Sequence, residues 1–159
     1  MKSLHVLLQR FADAGLDFVV VGGFAGALHG STYVTEDLDI CAVMSPEAVA
    51  RLRTALADLH PVHRMTPQKL SFLDHPPAGQ PLANVYLETD AGMVDVLGSV
   101  LGLGDYHALA RNAVEITLFG RKCRVVSLED LIKAKVALGR EKDLLTAKEL
   151  RAIQAKRMI

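Results

Sequence analysis

The stretch Val19-Val20-Val21-Gly22-Gly23-Phe24-Ala25-Gly26, followed by Asp37-Leu38-Asp39-Ile40, decides how this chain reads. Phe18 to Val21 is an apolar, mostly β-branched run of the kind that forms a buried strand. Gly22-Gly23 stops it, and Phe24 to His29 suits a short helix closed by Gly30. A strand that ends in glycines and turns into a helix exposes backbone N–H groups, which attract anions. With no Cβ at Gly22 or Gly23, a phosphate can approach the main chain closely. Asp37 to Val43 alternates acidic and apolar residues, which is a strand pattern. Residues two apart on a strand share a face, so Asp37 and Asp39 project together while Leu38 and Ile40 point into the core. Carboxylates this close repel each other, and one resists ionisation unless a cation lies between them. Oxygen donors of this kind suit Mg²⁺, or Mn²⁺ in its place, held by one or two carboxylates and a substrate phosphate.

Downstream, Asn84–Glu88 and Met93–Leu97 read as two strands joined by a tight turn at Thr89-Asp90-Ala91-Gly92. Asp95 stands in the second of them, and an acid among Met93, Val94, Val96 and Leu97 is costly unless paired or metal-bound. It is either a third site carboxylate or a buried acid satisfied by an arginine. If its strand neighbours residues 37–40, Asp37, Asp39 and Asp95 converge. Three acids can hold two metals roughly 3.5–4 Å apart, one for the attacking oxygen and one for the leaving phosphate. A phosphate cradle plus metal-binding carboxylates are the parts that phosphoryl transfer requires.

The remainder frames this centre. Leu4, Val6, Leu7, Leu8 and Phe11 recur at helical spacing over residues 3–13, and Gly15 ends that helix. Ser45 caps a helix running to about Leu59, with Pro46 first and Glu47 in the first turn. Residues 60–81 hold five of the six prolines and three histidines, and read as a long loop with one strand, Lys69–Leu73. Val96 to Gly104 is glycine-rich and uncharged. Val114–Leu118 and Cys123–Val126 flank Phe119-Gly120-Arg121 as a hairpin. Ser127 opens a helix, with Glu129 and Asp130 in its first turn, that ends near Gly139; a second helix covers about 141–157.

Composition narrows the classes. The 159 residues carry 18 Lys+Arg against 18 Asp+Glu, which argues against a surface given over wholly to nucleic acid. Half the residues are apolar, which argues against disorder. The length fits one domain, 1–159, with a core of about 1–126 and a helical part of about 127–159. Cys41 and Cys123 lie in apolar runs and read as buried thiols rather than a disulfide framework. Arg10 and Asp13 interrupt what would be a signal peptide, and the longest uncharged run, Phe18 to Thr35, is too polar for a membrane span. The expectation is a cytoplasmic protein with no membrane segment.

The ordered motifs resemble the nucleotidyltransferase superfamily of the DNA polymerase β type. Its pattern is an apolar strand, Gly-Gly or Gly-Ser, a short helix, acid-x-acid in an apolar strand, and a later third acid. Here those positions are Val21-Gly22-Gly23, Asp37-Leu38-Asp39 and Asp95. The likeness is closer to small bacterial members, including the toxin nucleotidyltransferases of abortive-infection toxin–antitoxin systems. Their pattern GG-x-A-x-x-x-HG … T-x-D-L-D is matched by Gly22-Gly23-Phe24-Ala25, His29-Gly30, Thr35 and Asp37-Leu38-Asp39. Their C-terminal Lys … Arg-x-Lys-Asp resembles Lys135, Arg140, Lys142 and Asp143. Two positions depart from the pattern: Tyr33 stands where many relatives have Arg, and Thr146 where an acid follows Lys-Asp.

The resemblance implies an α/β (α+β) fold, a mixed sheet flanked by helices with a helical C-terminus. It implies Mg²⁺-dependent transfer of a nucleoside monophosphate from an NTP to a hydroxyl on tRNA, protein or a small molecule, within a toxin–antitoxin pair. Asp37 and Asp39 would bind metal and triphosphate, and Asp95, the third metal carboxylate, would help deprotonate the acceptor. Lys135 and Asp143 would line the nucleotide or acceptor side, with Gly22, Gly23, Arg140 and Lys142 on the nucleotide. Lys135 and Arg140 can neutralise phosphate charge, whereas Asp143 either positions a hydroxyl or pairs with a cation. An antitoxin chain or a second copy would complete the acceptor site.

Other readings compete. A dinucleotide-binding loop would use Gly23 and Gly26 as its last two glycines, but Val21 replaces the first and the helix is short for a crossover. The chain could also be a degenerate member that binds nucleotide or a partner without turnover. A drug-modifying enzyme is a third reading. His60, His63 and His75 show no metal-site spacing and read as surface residues, His29 as a helix end. Lys148, Arg151, Lys156 and Arg157 read as a solvated helix face.

Overall fold

A computed structural model describes residues 3–33 and 35–157. The elements in chain order are α1 (Leu4–Asp13), β1 (Phe18–Val21), α2 (Gly22–Leu28), β2 (Asp37–Ala42), α3 (Pro46–Leu56), β3 (Val62–His63), β4 (Asn84–Thr89) and β5 (Gly92–Leu97). They continue with β6 (Ser99–Val100), β7 (Gly104–Asp105), α4 (Tyr106–Asn112), β8 (Val114–Leu118), β9 (Arg121–Val125), α5 (Leu128–Leu138) and α6 (Glu141–Arg157). Seven strands form one sheet in the order β3-β4-β5-β2-β1-β9-β8, and β6-β7 form a small ribbon. The sheet is mixed: β2 runs parallel to β5 and β1 to β9, while the other neighbours are antiparallel.

β1 is buried along its whole length, as its valine run requires of a central strand. β2 is two-faced. Leu38 and Ile40 are fully buried, whereas Asp37 and Asp39 keep partial access to solvent. The alternation in the sequence therefore divides the sheet into a core face and a polar face at this point. The core includes Leu7, Leu8 and Phe11 of α1, with Phe11 edge-on to Phe18 at 6.0 Å, and reaches Leu131 of α5 and Leu150 of α6.

Local signals acted as their chemistry dictates. Ser45 and Ser127 accept hydrogen bonds from Ala48 N and Asp130 N, capping α3 and α5. Gly139 closes α5 in the left-handed conformation, φ 68°. Cys41 and Cys123 are buried and unpaired, and burial pushes the Cys41 thiol up to about 11. His29 caps the end of α2, buried, with Nε2 at 2.7 Å from the Val126 carbonyl oxygen. Among the described residues no helix is long and apolar enough to cross a membrane.

Four expectations are corrected. The glycines do not precede α2; Gly22 and Gly23 are its first residues. α3 stops at Leu56 rather than Leu59. Lys69–Leu73 is not a strand. Only Ser71 bridges Val62, and the segment folds back on residues 61–63 through His63 N to Leu70 O and Phe72 N to Pro61 O, both 2.9 Å. Its apolar character serves to bury Phe72, whose carbonyl accepts from Arg53 Nε at 2.8 Å and whose ring lies 5.0 Å from the same guanidinium. His63 is half-buried instead of superficial, edge-on to the Phe72 ring at 5.7 Å. Asp105 caps α4 by accepting from Ala108 N.

Candidate active site

Strand register builds the centre of the site. Val21 pairs with Asp39, Asp39 with Asp95, and Asp95 with Tyr86, so one row of residues crosses β1, β2, β5 and β4. Directly paired residues project to the same side of a sheet. Asp39 and Asp95 thus stand side by side, and Asp37 shares their face one pleat away.

The consequence is electrostatic. Asp39 is pushed up to about 6, first by burial and then by the negative charges of Asp95 and Asp37; Lys135 and Arg64 act in the opposite sense. Gly22 lies against this carboxylate. A Cβ there would come 2.2 Å from Asp39 Oδ2, and φ is +67°, so glycine is required by space and by backbone conformation. At Gly23 a Cβ would come 3.1 Å from the Thr35 hydroxyl. That hydroxyl donates to the Asp37 carbonyl at 3.0 Å and braces the turn into β2.

Asp95 is engaged in a different way. Arg64 grips it with both guanidinium nitrogens: Nη2 donates to Oδ2 at 3.0 Å and Nη1 to Oδ1. Both side chains are largely buried, at 19% and 16% exposure. Arg64 comes from the proline-rich stretch, where nothing in the sequence marks it out. The clue lay in Asp95, because a lone acid in an apolar strand demands a partner. Among the described residues no group of three His, Cys, Asp or Glu side chains is arranged to hold a metal.

Beside the acids lie two adjoining hollows that share Gly22, Leu131, Lys135 and Arg140. The larger, about 320 Å³, is lined by the α2 glycines, Ser31, Tyr33 and Thr35 on one side and Lys135, Arg140, Lys142 and Asp143 on the other. The smaller, about 180 Å³, runs from Asp39 along Leu97, Val100, Leu103 and Leu138. The structure therefore gathers Gly22, Gly23, Lys135, Arg140, Lys142 and Asp143 around one cavity. Asp39 borders its neighbour, and Asp95 lies beside Asp39 but turns to Arg64.

Asp143 resolves its two alternatives in favour of pairing. It is 2% exposed, accepts from Arg140 Nε at 2.6 Å and Nη2 at 3.2 Å, and has Lys135 Nζ at 3.9 Å. The Arg140 hydrogen bonds hold its carboxyl below the usual range. Asp143 thereby fixes two cations at the cavity wall. Glu149, not anticipated from the sequence, ties α6 to the opposite wall by accepting from the Ser31 hydroxyl at 2.5 Å and the Thr32 hydroxyl at 2.6 Å.

No protein-family model matches this sequence, and no curated protein matches it well enough to count as a relative. Solved structures do match over nearly the whole chain. A proposed nucleotidyltransferase from Thermotoga maritima superposes with a TM-score of 0.55 at 20% identity, covering 94% of this chain and 91% of its own. The lincosamide antibiotic adenylyltransferase LnuA, solved with lincomycin bound, gives 0.61 at 16% identity, with 94% and 95% covered. ANT(2")-Ia, solved with adenylyl-2"-tobramycin, gives 0.51 at 16% identity, again with 94% and 95% covered. The mixed sheet, its helices and its helical C-terminus are the nucleotidyltransferase fold.

Proposed function

We propose that this chain transfers a nucleoside monophosphate from an NTP to a hydroxyl acceptor and releases pyrophosphate. The observation that carries this reading is the register pair Asp39–Asp95, beside Asp37, with Asp39 bordering a hollow that shares Gly22, Lys135 and Arg140 with the larger cavity. Anionic phosphates and a cluster of carboxylates belong in one site only where cations join them. The fold's occurrence in adenylyltransferases supports the same reaction class.

The donor chemistry fits a divalent ion. Asp37 and Asp39 offer the hard oxygen ligands that Mg²⁺ prefers, and their mutual repulsion with Asp95 is relieved by a cation. Asp37 and Asp39 would hold such an ion, which would supply positive charge toward the triphosphate. The chain's own groups do the rest. Lys135 and Arg140 hold the triphosphate, and Gly22 and Gly23 let it approach the main chain. Asp95, beside Asp39 and held by Arg64, would help deprotonate the acceptor hydroxyl. The acceptor is a tRNA end, a protein side chain or a small molecule. The toxin–antitoxin role rests on the GG-x-A-x-x-x-HG and T-x-D-L-D resemblance.

The test is transfer of labelled α-phosphate from each of the four NTPs, with Mg²⁺, into tRNA, total protein and small-molecule alcohols. Label is expected in one pool and is lost in Asp39→Ala. NTP binding without pyrophosphate release would overturn the enzyme reading and leave a nucleotide-binding module.

A further inference from the structure

The resting acid cluster already contains a cation, and it is Arg64. Three contacts seat this side chain. Its main-chain N–H donates to the Tyr86 carbonyl at 3.1 Å, its guanidinium lies 5.6 Å from the Tyr86 ring centroid, and its two terminal nitrogens fork onto both oxygens of Asp95. Tyr86 is the cross-strand partner of Asp95, so base, ring and carboxylate belong to one rigid row of the sheet. The stretch that delivers Arg64 is fixed behind it by buried Phe72 and the Arg53 clamp. A planar fork on a carboxylate satisfies both acceptor oxygens at once, which a mobile surface pair does not. Lysine could not reproduce it.

We propose that Arg64 is a positioning residue that holds Asp95 as an ion pair and competes with divalent metal for it, so that without nucleotide the cluster takes one divalent ion, on Asp37 and Asp39. This rests on the proposed metal-dependent reaction and adds a rule for loading: metal reaches Asp95 only by displacing a guanidinium. The physical basis is simple. A positive charge already within hydrogen-bond distance of Asp95 lowers the attraction of that carboxylate for a second cation, and its fork must be broken before another ligand bond forms. The same contact keeps the crowded acids folded together when no metal is present.

The experiment measures Mn²⁺ binding without nucleotide, by electron paramagnetic resonance and calorimetry, on the full chain and on Arg64→Gln. Thermal unfolding is recorded in chelator and in Mg²⁺. Wild type is expected to bind one Mn²⁺. Arg64→Gln is expected to bind Mn²⁺ at least about tenfold more tightly, or to bind a second ion. It should melt lower than wild type in chelator and gain more from Mg²⁺. Adding Asp95→Asn should abolish the gain in affinity. If Arg64→Gln does not fold, Arg64→Lys, which keeps the charge and loses the fork, should show a smaller gain in the same direction. Unchanged or weaker Mn²⁺ binding in the folded variant overturns the role of Arg64 and leaves the metal reading standing, as does a wild type that binds two ions. No Mn²⁺ binding by either protein overturns both.

Discussion

At Gly22 a single hydrogen in place of a side chain decides whether the site exists. Any Cβ would meet Asp39 Oδ2, and the positive φ adds backbone strain for every other residue. Gly22→Ala is expected to lose about 1–3 kcal/mol of stability and most nucleotide turnover, read by denaturant unfolding and by label transfer. Asp39 gives a pH signature. Its folded pKa, about 6, lies above the ordinary carboxylate value, so the folded state holds this proton more tightly than the unfolded chain. The stability it contributes is fully present below about pH 4 and is lost as pH rises through about 6. In metal-free buffer Asp39→Asn should therefore be more stable than wild type at pH 7.5, by about 1–3 kcal/mol, with the difference vanishing by about pH 4. A wild-type profile in the variant would contradict the crowding of these acids.

Elements show where local rules held and where packing overrode them. The strand–glycine–acid-x-acid block was readable because each part depends on residues close in sequence: β-branched runs, glycine turns and two-residue alternation. Arg64 was not readable. Its partner is 31 residues away in sequence and its segment has no periodicity, so only the folding-back of residues 61–72 brings it to Asp95. The Lys69–Leu73 run looked like a strand because it is apolar, and burying Phe72 is what that apolarity serves. α6 acts on the site through Glu149, which holds the Ser31–Thr32 segment against the cavity. Glu149→Ala should weaken nucleotide binding several-fold by loosening that wall. The stability cost is small, because its bonds lie near the surface. Titration calorimetry with an NTP and a thermal melt separate the two effects. Equal affinity in the variant would mean that the Glu149 tie does not shape the binding wall.

Across the whole molecule, the larger cavity joins two parts of the chain. The α2 glycines with Ser31, Tyr33 and Thr35 form one wall, and α5 with α6 forms the other. A ligand seated there contacts both walls and stabilises the folded state by mass action, by about 2.7 kcal/mol at one hundred times its dissociation constant. Saturating Mg²⁺–NTP is thus expected to raise the melting temperature by several degrees in wild type and by little in Lys135→Ala. Equal shifts would place the nucleotide elsewhere.

By itself the sequence determined the buried central strand and the shared face of Asp37 and Asp39, because each follows from short-range periodicity and turn chemistry, while the fold class followed from motif resemblance. Motif resemblance also pointed to Lys135, Arg140, Lys142 and Asp143, which the fold brings to one cavity with Gly22 and Gly23. Only the tertiary structure decided that β5 lies beside β2 in the register that sets Asp95 against Asp39. It alone decided that Asp143 pairs with Arg140 and Lys135, and that Arg64 holds Asp95. Strand order and ion pairing across long sequence separations are settled by which faces pack together, and no local pattern of residues encodes that choice.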